Sequence, residues 1–168
     1  PEEIRQMEPY IYSIIEAMNI PMLSCEGFEA DDVIGTLAKK AVKHGFDVYM
    51  VTPDKDYAQL VEEHIKMLKL GRMGNQAEIW GVDEVLERFE VQNPRQVIDI
   101  LGLWGDSSDN IPGVAGIGEK KAKALLKQFS SIEDAIANSD KIEAKSLRKA
   151  LEDNKEQALE SKFLATIV

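Results

Sequence analysis

The sequence predicts an α/β layer followed by an α-helical region, and three observations carry that prediction. Helical and strand-like stretches alternate up to Trp80, and from Val82 onward only helical periodicity remains. The strongest strand signal, Phe46-Asp-Val-Tyr-Met-Val51, follows one helical run and precedes another. A glycine-punctuated stretch, residues 105–118, divides the chain into an α/β part, 1–104, and a helical part, 105–168.

Taken in order, residues 2–18 place Ile4, Met7, Ile11, Ile14, Ile15 and Met18 mostly three and four apart, an amphipathic helix. Pro9 should kink it or mark where its regular part begins, and Asn19 with Pro21 should end it. Pro21-Met-Leu-Ser-Cys25 reads as a short strand leading into Gly27. Residues 30–44 form a second helix, with Val33, Ile34, Leu37, Ala38, Ala41 and Val42 as its apolar stripe and Gly45 as its stop. After the strand at 46–51 come a short helix at 57–61 and a strand at 65–70. A turn at 71–75 and a returning strand at 77–80 follow. Helices are then predicted at 83–89, 94–104, 119–129, 132–137, 143–153 and about 155–165.

Composition bounds the function. The 168 residues are 44% hydrophobic and 30% charged, the profile of a folded chain rather than a disordered one. Net charge is -10, which at face value disfavours nucleic-acid binding and polybasic membrane attachment. One cysteine, Cys25, excludes an intrachain disulfide and argues against a thiolate zinc site. No apolar run approaches the roughly 18 residues of a membrane span, and a cytoplasmic setting is expected. The first residue is Pro1 and the last six, Phe163-Leu-Ala-Thr-Ile-Val168, are apolar but for Thr166, so the chain reads as a piece of a longer one. The charge is also uneven. Residues 115–168 hold 10 basic and 9 acidic residues, which leaves 10 basic and 21 acidic in residues 1–114.

Three acidic constellations stand out. Glu29-Ala-Asp-Asp32 precedes an apolar helical run and contains Asp31. Thr52-Pro-Asp-Lys-Asp56 follows the strongest strand, where ligands of open α/β sheets sit, and carries Asp54 and Asp56. Gly105-Asp-Ser-Ser-Asp-Asn-Ile-Pro-Gly113 carries Asp106 and Asp109. Each alone also reads as helix capping or turn chemistry. Together they offer seven hard oxygen ligands, the type that Mg²⁺ and Mn²⁺ prefer. Two bare carboxylates about 4 Å apart repel by roughly 4 kcal/mol at an effective dielectric near 20. A converging cluster of seven therefore predicts two divalent metal ions and metal-assisted phosphodiester chemistry.

Next to it, Ile111-Pro-Gly-Val-Ala-Gly-Ile-Gly-Glu-Lys-Lys-Ala122 places a glycine hairpin at a helix start. Gly116 and Gly118 permit positive φ and close backbone approach. The helix N-terminus offers N–H groups to an anion, and Lys120, Lys121 and Lys123 follow. This is the outline of a helix–hairpin–helix clamp on DNA phosphates, although a plain helix–helix turn with solvated lysines has the same local pattern.

These motifs, Glu29-Ala-Asp-Asp-Val-Ile-Gly35, Thr52–Asp56, Gly105–Val114 and Gly116-Ile-Gly-Glu-Lys120, occur in one order. In that order the chain resembles the 5′-nuclease family (5′–3′ exonuclease, flap endonuclease) found at the N-terminus of bacterial DNA polymerase I. The resemblance implies a PIN-like (Rossmann-like) sheet, truncated at its N-terminus, and a helix–three-turn–helix region. It implies cleavage of 5′ flaps and RNA primers on branched double-stranded DNA with two divalent ions, potassium at the hairpin, and a polymerase domain in the same parent chain. Glu29, Asp31, Asp32 and Asp54 would lie nearer one metal and Asp56, Asp106 and Asp109 nearer the other. The family also has an aspartate on a first strand, another after the next strand, and a basic part of a helical arch. None of these is in this sequence, so residues 2–18 would be the trailing arch helix and the chain alone should cleave weakly or not at all. Two other readings stay open: a non-catalytic, structure-selective DNA-binding module, and an acidic interaction domain whose motifs are only caps and turns.

Overall fold

The computed structural model describes residues 2–71 and 76–168. The first helix, α1 (Glu2–Ala17), runs through Pro9 without interruption, and none of its residues is buried. Its end follows from Asn19, which takes a left-handed φ of 56° while its N–H donates to Glu16 O at 2.9 Å. The strand expected at residues 21–25 does not form. That stretch has no ladder partner among the described residues and its side chains are exposed, and an extended segment needs a neighbour to become a strand.

Helix α2 (Ala30–Lys43) packs on strand β1 (Val48–Val51). A 3₁₀ turn, Lys55–Leu60, leads from β1 to β2 (Ile65–Lys69), and β3 (Glu78–Trp80) returns antiparallel. The sheet order is β1-β2-β3, with β1 and β2 parallel and Met50 opposite Met67. The parallel pair requires a crossover, which the 3₁₀ turn supplies in place of a full helix. The turn predicted between β2 and β3 falls largely on residues 72–75, outside the described residues.

Helices α3 (Val82–Phe89), α4 (Val97–Trp104), α5 (Glu119–Leu126), α6 (Ile132–Ala137), α7 (Lys145–Asp153) and α8 (Lys155–Leu164) complete the chain. Helix α5 stops three residues short of its expected end. Helix α4 is the hub, with Val97, Ile100, Leu101 and Leu103 fully buried. It packs on α8 and α5, on the helical side, and on the 3₁₀ turn of the α/β side. At Gly102 an added Cβ would lie 2.9 Å from the Lys162 backbone, so only glycine allows α8 to cross this closely. One ionic network pins the crossing. Buried Asp99 accepts from Ile132 N–H at 2.9 Å and from Lys162 Nζ at 2.7 Å, and Lys162 also reaches Glu133 at 2.7 Å. Burial pushes the Asp99 carboxyl up, only partly offset by Lys162 and the Ile132 N–H. Among the described residues no helix is long and apolar enough to cross a membrane.

Candidate metal centre

The centre is built where β1 ends. Asp54 caps the 3₁₀ turn: its carboxylate accepts from Asp56 N–H at 3.0 Å, and its own N–H donates to Thr52 Oγ1 at 3.1 Å. That cap turns Asp56 inward, where it is 6% exposed. Its Oδ1 is buried without a hydrogen-bond partner. Burial, reinforced by Asp54, Asp106 and Asp109 against the opposing pull of Lys55, raises the Asp56 pKa to about 6. A buried carboxylate oxygen with no hydrogen bond, whose ion-pair partner Lys55 Nζ stands off at 3.5 Å, is costly and can take a closer partner.

The loop after α4 brings two more carboxylates. Its closure depends on two glycines placed against each other. Gly113 has φ 62°, and an added Cβ would lie 2.4 Å from Gly105 N; Gly105 has φ 83° and faces Ile111 O and Pro112. Reciprocal backbone bonds between Asp106 and Ile111, 2.9 and 2.7 Å, then shape the loop. Helix α8 holds it through Ser161 Oγ, which accepts from Gly113 N–H, and Gln157, which donates to Gly113 O. Buried Asp106 accepts from Ser108 N–H at 2.8 Å and pairs with Lys55. Burial pushes the Asp106 carboxyl up, but Lys55 and the Ser108 N–H outweigh it and the net position is below the usual range. Asp56, Asp106 and Asp109 each present a carboxylate oxygen within 4.8 Å of the others, a spacing that suits one cation.

The start of α2 forms the facing wall. A cavity of about 400 Å³ is lined by Glu29, Asp31, Asp32, Asp54, Asp56 and Asp109. Six of the seven carboxylates singled out in the sequence thus share it. Asp106 faces the adjoining groove instead, because Lys55 draws it there. Both Asp32 oxygens accept a backbone hydrogen bond, from Glu29 N–H at 3.1 Å and from Val168 N–H at 2.8 Å, so its capping role is real, and each oxygen keeps a lone pair for a cation. Glu29 and Asp32 form the capping box of α2, whereas the Asp31 and Asp109 carboxylates accept no hydrogen bond among the described residues.

Two residues that the sequence reading passed over organise this centre. Lys55 pairs with Asp106, lies 3.5 Å from Asp56 Oδ1 and 6.0 Å from the Trp104 ring centroid. A lysine between two nominated aspartates was its only sequence signal. Gln59, buried, donates to Ala165 O and accepts from Ile167 N–H, both at 2.9 Å, so the segment after α8 forms a wall of the cavity. Nothing in the local sequence marks that role.

The hairpin lies beyond. Gly116 takes φ 83°, whereas Gly118, at φ -91°, needs no glycine conformation and caps α5. Lys120 is exposed with no partner among the described residues, and Lys121 folds back to donate to Gly116 O at 2.6 Å. Lys123 is placed differently from the expectation: it pairs with Glu119 at 2.7 Å and donates to Arg88 O at 2.8 Å, tying α5 to α3. A surface spacing on one helix cannot show that its lysine is drawn to a neighbour.

A small α/β layer with carboxylates at a strand end, joined to a helical unit that presents a basic hairpin, is the build of a resolvase-like domain followed by a SAM fold. Residues 1–90 match the family model "5′-3′ exonuclease, N-terminal resolvase-like domain", and residues 92–168 match "5′-3′ exonuclease, C-terminal SAM fold". The chain belongs to the 5′–3′ exonuclease family. It is 44% identical over 168 residues to DNA polymerase I of Bacillus subtilis and 42% over 170 to that of Chloroflexus aurantiacus. These alignments cover all of this chain and 19% and 18% of those proteins, so it spans about a fifth of their length. In fold it is similar to T5 5′-exonuclease solved with divalent zinc ions, with a TM-score of 0.79 and 21% identity over 98% of this chain and 62% of that one. It is similar also to the catalytic core of Rad2 in complex with a DNA substrate, with a TM-score of 0.65 and 17% identity over 96% and 55%.

Proposed function

We propose that the chain is the metal-binding and DNA-holding segment of a structure-specific 5′-nuclease that hydrolyses phosphodiester bonds at 5′ flaps and RNA primers on branched duplex DNA during replication and repair. Its setting is the cytoplasm of a bacterium, with a polymerase domain in the same parent chain. The observation that carries this reading is the buried Asp56 Oδ1, without a hydrogen bond, beside Asp106 and Asp109, within a chain of this family.

The residues fit divalent metal. Asp56, Asp106 and Asp109 would hold one ion, and Glu29, Asp31, Asp32 and Asp54 a second, with Mg²⁺ the favoured species and Mn²⁺ its substitute. Bound there, such ions supply a nucleophile at neutral pH and neutralise charge on the attacking and leaving oxygens. The chain's own residues do the rest. Lys55 keeps Asp106 ionised. Asp54 sets the turn that aims Asp56. Gly105 and Gly113 hold Asp106 and Asp109 on a rigid loop. Gly116, Gly118, Lys120 and Lys121 grip duplex phosphates, and the hairpin would be where a potassium ion adds positive charge, so binding is sequence-independent and falls with salt.

Calorimetry with Mn²⁺ tests the reading, alongside flap binding in Ca²⁺. The chain should bind Mn²⁺, and Asp56→Asn should weaken that binding by about tenfold or more. Absence of Mn²⁺ binding, or an unchanged affinity in the variant, would return the motifs to caps and turns. Flap binding without Mn²⁺ binding would instead support the non-catalytic DNA-binding module. The sequence lacks the upstream aspartates, so flap cleavage by the chain alone should be slow; rapid Mg²⁺-dependent cleavage abolished by Asp54→Ala would overturn that expectation.

A further inference from the structure

Gln59 is a buried polar side chain to which the metal reading gives no task. It is the last residue but one of the 3₁₀ turn and stands three positions after Asp56. Side chains three apart in a 3₁₀ turn eclipse one another, so Asp56 and Gln59 share a face, and each is 6% exposed. The Gln59 carboxamide donates to Ala165 O and accepts from Ile167 N–H. One side chain thus gives the segment after α8 both bonds that a peptide group of a neighbouring strand would give. That segment, residues 165–168, is a thin partition. The acidic cavity lies against Ala165, Thr166 and Ile167, and a cavity of about 820 Å³ lies against Thr166, Ile167 and Val168. With a cavity on either face, packing alone does little to fix it. Its far end is tied to α2, where Asp32 accepts from Val168 N–H. Between the two ties, Gly35 of α2 lets the segment close on the helix, for an added Cβ would lie 3.2 Å from Ile167 and 3.3 Å from Leu60.

Among the described residues no hydrogen bond joins α2 to the 3₁₀ turn directly; the route between them runs from Gln59 through residues 165–168 to Asp32. We propose that Gln59 is a positioning residue of the metal centre: by tying the turn that carries Asp54 and Asp56 to the segment that Asp32 grips from α2, it sets the distance at which the two groups of carboxylates face each other. The inference rests on the metal-binding reading. The Asp54 cap spans two residues and orients Asp56 within the turn, but it cannot fix where the turn sits against α2. Small divalent ions hold their oxygen ligands to narrow distances, so a shift of one carboxylate group against the other is felt as lost affinity. Residues that orient metal ligands without touching the metal are typically worth about 10- to 100-fold in metal affinity.

The test is Mn²⁺ calorimetry on the full chain, joined to amide hydrogen exchange without metal. Gln59→Met keeps the length of the side chain and removes both bonds. It should bind Mn²⁺ about tenfold more weakly than wild type. In the metal-free chain it should also speed exchange at Ile167 N–H by about tenfold or more, while amides of α4 keep their protection, the mark of a local release. Leu151→Ala is the control for general loss of stability, since Leu151 is fully buried in α7 and lines no part of the acidic cavity. It should lower the melting temperature and leave Mn²⁺ affinity unchanged. If Gln59→Met does not fold by circular dichroism, Gly35→Ala decides, because it presses on the same segment from the helix side without a strained φ; it should weaken Mn²⁺ binding by about threefold with no fall in melting temperature, and unchanged affinity would refute the proposal. If wild type binds Mn²⁺ and folded Gln59→Met binds it equally well, or Leu151→Ala loses as much affinity, the positioning role is refuted and the metal reading stands. If wild type binds no Mn²⁺, both fall.

Discussion

In the metal-free protein, replacing Asp56 with Asn should reverse its usual sign and stabilise the fold at neutral pH. Burial holds the Asp56 carboxyl at about 6, against an ordinary value of 3.8. The folded chain therefore binds more protons than the unfolded chain between those values. Stability from this group is fully present below about pH 4 and is lost as pH rises through about 6. A shift of about two units at about 1.4 kcal/mol each makes the loss about 3 kcal/mol at neutral pH. Asp56→Asn removes the ionisation, so in EDTA its unfolding free energy relative to wild type should grow by up to about 3 kcal/mol from pH 4 to pH 7.5. Urea unfolding at several pH values measures this directly, with the slope against urea checking that the same surface is exposed. Added Mg²⁺ should return the advantage to wild type, because a cation bound only by the folded state stabilises it by mass action. A wild-type-to-variant difference that stays flat across pH, or Mg²⁺ that stabilises both equally, would refute the account of Asp56 as a buried ligand awaiting its ion.

Three other outcomes follow from particular contacts. Gly113→Ala should cost roughly 3 kcal/mol in thermal unfolding, from a positive φ and a Cβ 2.4 Å from Gly105 N, and should weaken Mn²⁺ binding by displacing Asp106 and Asp109; an unchanged melting temperature would contradict the loop geometry. Lys162→Met should destabilise by about 3 kcal/mol, since it leaves Asp99 buried with only the Ile132 N–H as partner, and the loss should shrink in acid as Asp99 protonates, which chemical unfolding against pH would show. Lys120→Ala should weaken flap binding for all sequences alike and reduce the salt slope by about one unit, whereas Lys123→Ala should act mainly on stability; equal effects of the two on the salt slope would show that Lys123 also reaches the DNA.

The parts of this site legible in the sequence are those whose cause is local. Asp54 and Asp56 follow the strongest strand, and the cap that aims Asp56 spans only two residues. The acidic start of α2 and the glycine loop at 105–113 are likewise marked by residue types within a single turn. What sequence could not show depends on partners brought in from afar. Lys55 meets Asp106 across 51 positions, and Gln59 meets Ala165 across 106. Lys123 fits the spacing of a phosphate-binding lysine, yet its ammonium is drawn to Arg88 O, 35 positions away. The unformed strand at 21–25 has the same origin: β structure is a property of a pair of segments, and no paired segment lies among the described residues.

The charge that first argued against nucleic acid takes a different meaning from these positions. At the triad the cation in place is Lys55, paired with Asp106 and 3.5 Å from Asp56, while Asp109 has no ion pair among the described residues. One ammonium against three carboxylates leaves two negative charges when all are ionised, the deficit a divalent cation fills. Two carboxylates about 4 Å apart cost roughly 4 kcal/mol at an effective dielectric near 20, so the cluster gains more from a doubly charged ion than from a second lysine at greater distance. Filling it cancels that deficit. The same carboxylates that repel a phosphate in the metal-free protein would then surround a divalent ion that can meet a phosphate oxygen directly. The net charge of -10 is therefore a property of the metal-free chain, and affinity for a polyanion is set by where its carboxylates converge rather than by their number.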